Sequence, residues 1–190
     1  MFDVETFVAD CQAAVADPDP RGAVRDLLRQ TVASPGEVSD ALAVNEGGIN
    51  VVHSSETLTV LNVIWAPQMT IYPHEHRMWA TIGIYGGAEE NTLYRRGNER
   101  IQPAGGRLLE PGEVFSLGAD AIHSVHNPRR RFTGAIHVYG GDFLNQPRSQ
   151  WDPDSLLEEP YNIDEVRRAF AAANDEWRSQ LGDDLDESSD

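Results

Sequence analysis

The chain contains no lysine: all 15 of its basic residues are arginine, set against 31 aspartates and glutamates for a formal charge of −16. A surface this acidic repels phosphate backbones and anionic lipid headgroups, which argues against nucleic-acid binding and membrane anchoring. The single cysteine, Cys11, permits no internal disulfide and suits a reducing compartment. No apolar run approaches the roughly 20 residues that a bilayer-spanning helix needs. The acidic opening Met1-Phe2-Asp3-Val4-Glu5 lacks the charge of a secretory signal. A soluble, cytoplasmic protein is the expectation. Its acid-rich, lysine-free character fits a GC-rich genome or a salty cytoplasm and says nothing about chemistry. What the chain does have, 190 residues of which 40% are hydrophobic, is enough for one domain with a sizeable core.

The spacing of Phe2, Phe7, Val8, Cys11 and Val15 predicts a first helix, ended by Asp17-Pro18-Asp19-Pro20. A second runs from about Arg21 to Val32, and a short third from Glu37 to Val44. From about Ile49 the pattern becomes β-rich, with runs at 57–65, 79–85 and 134–139 separated by Gly/Pro turns. Such a series predicts a sandwich, barrel or jelly roll ending near Gly141. A last helix is expected from Ile163 to Trp177, with Asn162 as its N-cap. The expected organisation is a helical extension over 1–47, a β-barrel over 48–145, a segment with one helix over 146–181 and a disordered acidic tail over 182–190.

Five of the six histidines lie within or beside the predicted strands, and His53 lies at their start. His74 and His76 are two residues apart, so a strand presents both on one face. His123 lies in the later segment Ile122-His123-Ser124-Val125-His126-Asn127-Pro128 and supplies a third imidazole. His126 is out of phase with His123 and is expected to face away. Glu75, between the first two histidines, is expected to meet solvent. Glu89-Glu90 is expected in a turn as surface charge, and folded back it would offer a carboxylate ligand.

A His-x-His followed about fifty residues later by His-x-x-x-Asn resembles the metal motifs of cupins. That resemblance covers roughly residues 50–140 and implies a mainly β fold, a double-stranded β-helix holding one metal ion. Ordinary cupins carry a glutamate a few residues after His-x-His, where this chain has Ala80 and Thr81. The all-histidine set is similar to that of the cysteine dioxygenase-like thiol dioxygenases. Trp65 precedes the motif as in that family, and Ile136-His137-Val138-Tyr139 resembles its Ser-x-His-x-Tyr triad with Ala135 in the serine position. The resemblance implies Fe(II) on His74, His76 and His123, and oxidation of a small thiol by O₂ to its sulfinate. It implies Tyr139 as a hydrogen-bond donor at the open metal positions and His137 as the group that orients it.

Cys11 lies too far away for the cysteine–tyrosine link of the family's animal members. The arginine that holds the substrate carboxylate upstream of the first ligand has no counterpart. His53 falls nearest to that place, and Arg77 is the other candidate for an anionic substrate, with Arg95 and Arg96 as alternatives. The substrate therefore stays open between cysteine, 3-mercaptopropionate-like thiols and other small molecules. Zn, Mn or Ni remain alternatives to iron, in an isomerase or hydrolase without O₂ chemistry, and a non-catalytic ligand-binding cupin is a third reading. The pattern fixes no oligomeric state.

Overall fold

The computed structural model describes the backbone of residues 1–42 and 45–187. Three helices, α1 (Val4–Ala14), α2 (Pro20–Val32) and α3 (Pro35–Leu42), lead into eleven strands, and α4 (Ile163–Glu187) follows them. Local chemistry sets the helix starts. The Asp3 carboxylate accepts from the Thr6 backbone N–H, Asp19 accepts from that of Gly22, and Pro20 opens α2 where its missing N–H costs nothing.

The strands are β1 (Gly48–Ser54), β2 (Thr59–Trp65), β3 (Thr70–Glu75), β4 (Ala80–Gly86), β5 (Glu89–Arg96), β6 (Ile101–Leu109), β7 (Val114–Leu117), β8 (Ile122–His126), β9 (Thr133–Tyr139), β10 (Ser149–Trp151) and β11 (Glu158–Pro160). They form a five-stranded sheet in the order β1-β2-β9-β4-β7 and a six-stranded sheet in the order β11-β10-β3-β8-β5-β6. The pairings within both sheets are antiparallel. Consecutive strands cross repeatedly from one sheet to the other, and the result is a double-stranded β-helix.

Two apolar layers hold it. Between the sheets lie Leu61, Val63, Ile82, Ile84 and Ala135 from one and Ile71 and Val125 from the other. Outside the five-stranded sheet, Phe7, Cys11, Val24, Leu28 and Val32 of α1 and α2 cover Val60, Ile64, Ile136 and Val138. Each fully buried aliphatic chain in these layers contributes about 1.5–3 kcal/mol. The central strands β2 and β9 are consequently buried at every position.

The structure differs from the sequence-based expectation in three places. Two short strands, β10 and β11, lie beyond Gly141, and β10 pairs with β3 through Gln150 and His74. Glu89-Glu90 begins a strand instead of lying in a turn. The last helix passes Trp177 and continues to Glu187, taking in most of the expected tail; residues 188–190 of that tail lie outside the described residues, as does the expected end of the third helix at 43–44. Asn162 does cap this helix, its side-chain oxygen accepting from the Asp164 N–H.

Candidate metal centre

His74 and His123 face each other across the β3–β8 ladder as register partners, and His76 follows directly after β3. The three imidazoles meet inside the barrel: His76 Nε2 lies 3.3 Å from His74 Nε2 and 3.1 Å from His123 Nε2. Nitrogens bound at about 2.1 Å to one ion are separated by roughly 3.0–3.4 Å in octahedral or tetrahedral geometry, so the spacing suits a single cation. All three rings are buried.

The outer ring nitrogens fix the proton positions. His74 Nδ1 donates to the Tyr72 carbonyl at 3.1 Å, and His123 Nδ1 lies 2.7 Å from Asn91 Oδ1, an acceptor. Both rings therefore carry their hydrogen on Nδ1 and aim the Nε2 lone pair at the same point. His76 Nε2 can donate to only one of the two, and its buried Nδ1 has no hydrogen-bond partner among the described residues. Converging lone pairs repel one another unless a cation accepts them, and this donor set fits a divalent metal. Burial lowers the His74 pKa to about 4, and it holds His76 and His123 well below the ordinary imidazole value, with the neighbouring histidines adding to the effect. All three are neutral at pH 7, the form that binds metal. Among the described residues, these three histidines make up the group that could hold an ion, and no carboxylate joins them.

The opposite wall comes from β9. His137 and Tyr139 lie on its inner face, with His137 Nδ1 3.1 Å from the Tyr139 hydroxyl. The Tyr139 ring meets His76 edge-on at 5.1 Å and stacks on Phe143 at 3.9 Å. Burial pushes the phenol's pKa up, so it stays protonated and acts as a donor. Leu61, Val63, Ile71, Val125 and Val166 complete an apolar chamber with a cavity of about 30 Å³.

Two carboxylates stand where the sequence reading did not put them. Glu89, expected at the surface, is fully buried in the barrel. Gly87, at φ +72°, makes the turn that brings it there; a Cβ at that position would fall 2.1 Å from Thr133 Oγ1. The Glu89 carboxylate accepts from Trp65 Nε1 at 2.7 Å and Asn91 Nδ2 at 2.9 Å, and lies 3.4 Å from His137 Nε2. Burial alone would raise its pKa, but the donors from His137, Asn91 and Trp65 outweigh this and keep it ionised. The signal was available: Glu89 and Asn91 share one face of a strand on which Glu90 points out. Glu75, expected in solvent, is 1% exposed on the outer side of β3. It is held there by Arg77, by Arg96 at 2.8 Å and by the Ser149 N–H at 3.2 Å.

The proposed anion-binding residues lie apart from the chamber. Arg77 adopts φ 59° in the turn beyond β3, directly after His76, and its guanidinium pairs with Glu75 on the outer side. Arg95 bonds Gln102, and Arg96 pairs with Glu75 and Glu158. His53 lies on β1, at one edge of the five-stranded sheet, and is not among the residues lining the cavity. His126 faces away from the chamber as expected, bonded to Thr70 Oγ1 at 3.0 Å.

The sequence reading passed over Arg148, which precedes β10. Its guanidinium lies 4.0 Å from the Phe143 ring and 3.8 Å from that of Tyr161, two residues of the chamber wall. It donates to the carbonyls of Phe143 and Gln146, and its buried Nε has no hydrogen-bond partner among the described residues. Its charge reaches His74, His76 and Tyr139. In a chain with twice as many acidic as basic residues, it forms no ion pair with a carboxylate of the described residues. It also borders an outer groove of about 860 Å³, which shares Ile49, Phe143, Tyr161 and Val166 with the chamber.

No protein-family model matches the chain. Among solved structures, it is similar to an RmlC-like cupin family protein with a double-stranded β-helix fold from Methanocaldococcus jannaschii, at 11% identity and a TM-score of 0.45 over 55% of this chain and 90% of that one. It is similar to the protein BH2720 of Bacillus halodurans, at 13% identity and a TM-score of 0.49 over 55% and 77%. It is also similar to the DMSP lyase DddQ from Ruegeria pomeroyi, at 19% identity and a TM-score of 0.43 over 53% and 46%. None of these identities carries chemistry from those proteins to this chain. By its own strand order the chain is a double-stranded β-helix, and its interior holds three histidines able to bind a metal ion.

Proposed function

We propose that this protein is an Fe(II)-dependent dioxygenase that oxidises a small carboxylate-bearing thiol to its sulfinate. The observation that carries the reading is the pairing of an all-imidazole metal face with a protonated phenol, Tyr139, on the facing wall of one buried chamber. The reaction balances without an external reductant: a thiol and O₂ give a sulfinate and a proton. Sulfur loses four electrons, O₂ gains four, and both oxygens end on sulfur. Fe(II) held by His74, His76 and His123 supplies a place where thiolate and O₂ meet and lowers the thiol's pKa.

The chain's own residues do the rest. Arg148, at the mouth between Phe143 and Tyr161, receives the substrate carboxylate and orients the sulfur inward. The Tyr139 hydroxyl donates a hydrogen bond toward the reacting centre, and His137 Nδ1 holds that hydroxyl in place between turnovers. The aliphatic wall excludes water, which strengthens both polar contacts.

A redox-neutral metal-dependent isomerase or hydrolase is the second reading, and the contact of Glu89 with His137 favours it, because that pair could hold a proton for acid–base work. O₂ consumption separates the two. Fe(II)-loaded protein is tested against cysteine, 3-mercaptopropionate, cysteamine and mercaptosuccinate, with His123→Ala as control. Uptake with a carboxylate-bearing thiol, lost in the variant, is expected. Stoichiometric iron without uptake on any of the four would rule the dioxygenase out.

A further inference from the structure

Glu89 touches both sides of the chamber. An ionised carboxylate can only accept, so each neighbour bonded to it must turn a hydrogen toward it. Asn91 does so with Nδ2, which leaves Oδ1 facing His123 Nδ1 at 2.7 Å. Because that oxygen also only accepts, the His123 hydrogen lies on Nδ1 and the Nε2 lone pair is left for an ion. On the other side, His137 Nε2 lies 3.4 Å from Glu89 Oε2, too poorly aligned for a hydrogen bond and with no other partner among the described residues, while Nδ1 lies 3.1 Å from the Tyr139 hydroxyl. The negative charge in front of Nε2 repels a lone pair there and the phenol needs an acceptor, so the hydrogen belongs on Nε2 and Nδ1 accepts from Tyr139.

We propose that Glu89 is a positioning residue that sets the tautomers of two histidines at once, His123 through the Asn91 amide and His137 directly. The same carboxylate thereby assigns one imidazole to the metal and the other to Tyr139. This rests on reading His74, His76 and His123 as a metal-binding set, and not on the dioxygenase chemistry.

Trp65 makes the proposal testable. Its indole N–H donates to Glu89 Oε2 and cannot be reversed. In Glu89→Gln the amide oxygen must therefore stay toward Trp65 and His137, and the amide nitrogen must face Asn91. Asn91 then flips, presents Nδ2 to His123, and drives the His123 hydrogen onto Nε2, where it competes with the metal. Adding Asn91→Asp provides an acceptor for the introduced amide nitrogen and for His123 Nδ1 together, and so reverses the effect on His123.

The experiment uses the full chain with ¹⁵N-labelled histidine, metal-free, read by long-range ¹H–¹⁵N spectra, followed by Zn(II) titration of each variant. In the wild type, His123 is expected as the Nδ1–H tautomer and His137 as the Nε2–H tautomer. Glu89→Gln is expected to switch His123 to Nε2–H and to weaken Zn(II) binding by about 10–100-fold. Adding Asn91→Asp is expected to restore both. Wild-type His123 protonated on Nε2, or wild-type His137 protonated on Nδ1, would overturn the proposal even if the variants did not fold. A Glu89→Gln variant with His123 unchanged, or a double variant as weak as the single one, would also overturn it. A wild type with the stated tautomers that binds no Zn(II) would support the tautomer assignment while removing the metal reading beneath it.

Discussion

The two sheets of the barrel differ in what they bring to the chamber: one is mostly apolar and adds His137 and Tyr139 from β9, and the other carries His74 and His123. The five-stranded sheet is covered on both faces, by the chamber on one side and by α1 and α2 on the other, and its central strands are mostly apolar apart from Thr59, Asn62, Thr133 and the chamber residues His137 and Tyr139. The six-stranded sheet carries His74, His123, Glu89 and Asn91 on its inner face, while Thr70, Glu90, Ser124 and His126 stand on its outer face. One sheet supplies the burial energy, and the other spends its interior positions on groups that must be satisfied one by one. A change at an apolar position of the first should therefore alter stability, whereas a change at His137 or Tyr139, or at an inward polar position of the second, should alter the site.

The largest effect on that division comes from His123→Ala. It leaves two nitrogens for the ion, and metal content measured on the purified protein should fall far below one per chain. Ile136→Ala is the counterpart in the other sheet. Ile136 is 1% exposed beneath the helices, so the variant should lose about 2–5 kcal/mol in urea unfolding while its folded form keeps wild-type metal affinity. Weakened metal binding in that variant would show that the two sheets are not separable.

Acid probes the six-stranded sheet through His74. The His74 pKa is about 4 in the folded chain and 6.5 when exposed, so the unfolded chain takes up the proton first. The melting temperature of the metal-free protein should fall as pH drops from 6.5 toward 4, and this group adds no pH dependence above that window. Replacing His74 with Asn should flatten part of the slope.

Two arginines sharpen the contrast between inside and outside. Under the proposed function Arg148→Gln would remove a charge-assisted bond of about 1.5–3 kcal/mol to the substrate carboxylate, so KM for carboxylate-bearing thiols should rise on the order of tenfold or more, with cysteamine turnover little changed. Arg77→Gln touches only the outer Glu75 pair, and Arg96 and the Ser149 N–H remain on that carboxylate. Its cost should stay near or below about 1 kcal/mol in thermal unfolding, with no change in KM.

The same division explains what could be read in the sequence. The runs at 57–65, 79–85 and 134–139 stand out because both faces of their sheet are buried, and they fall on β2, β4 and β9. His74, His76 and His123 were legible as a set because their spacing puts them on facing strand positions, and the structure brings them together. Glu75 and Glu89 were misread because a buried carboxylate looks like a surface one until its donors are known. Those donors come from Arg96, 21 residues from Glu75, and from Trp65, 24 residues from Glu89. Strands β10 and β11 have three residues each, too few for any alternation to register. Arg148 carries no motif, and its place follows only from the two aromatic rings that the fold brings around it.

The wall of the chamber has an implication for the order in which the molecule is made. Val166 lines the cavity and Phe170 stacks on Trp65 at 5.5 Å, yet both belong to α4, which follows every strand of the described residues. Asn174, farther along the same helix, is fastened to Gly47 by two hydrogen bonds, at the entrance to the first strand. During synthesis from the N-terminus, all three histidines leave the ribosome before the helix that encloses them. Until that helix docks, the chamber lacks the wall that Val166 supplies and Trp65 lacks its stacking partner Phe170.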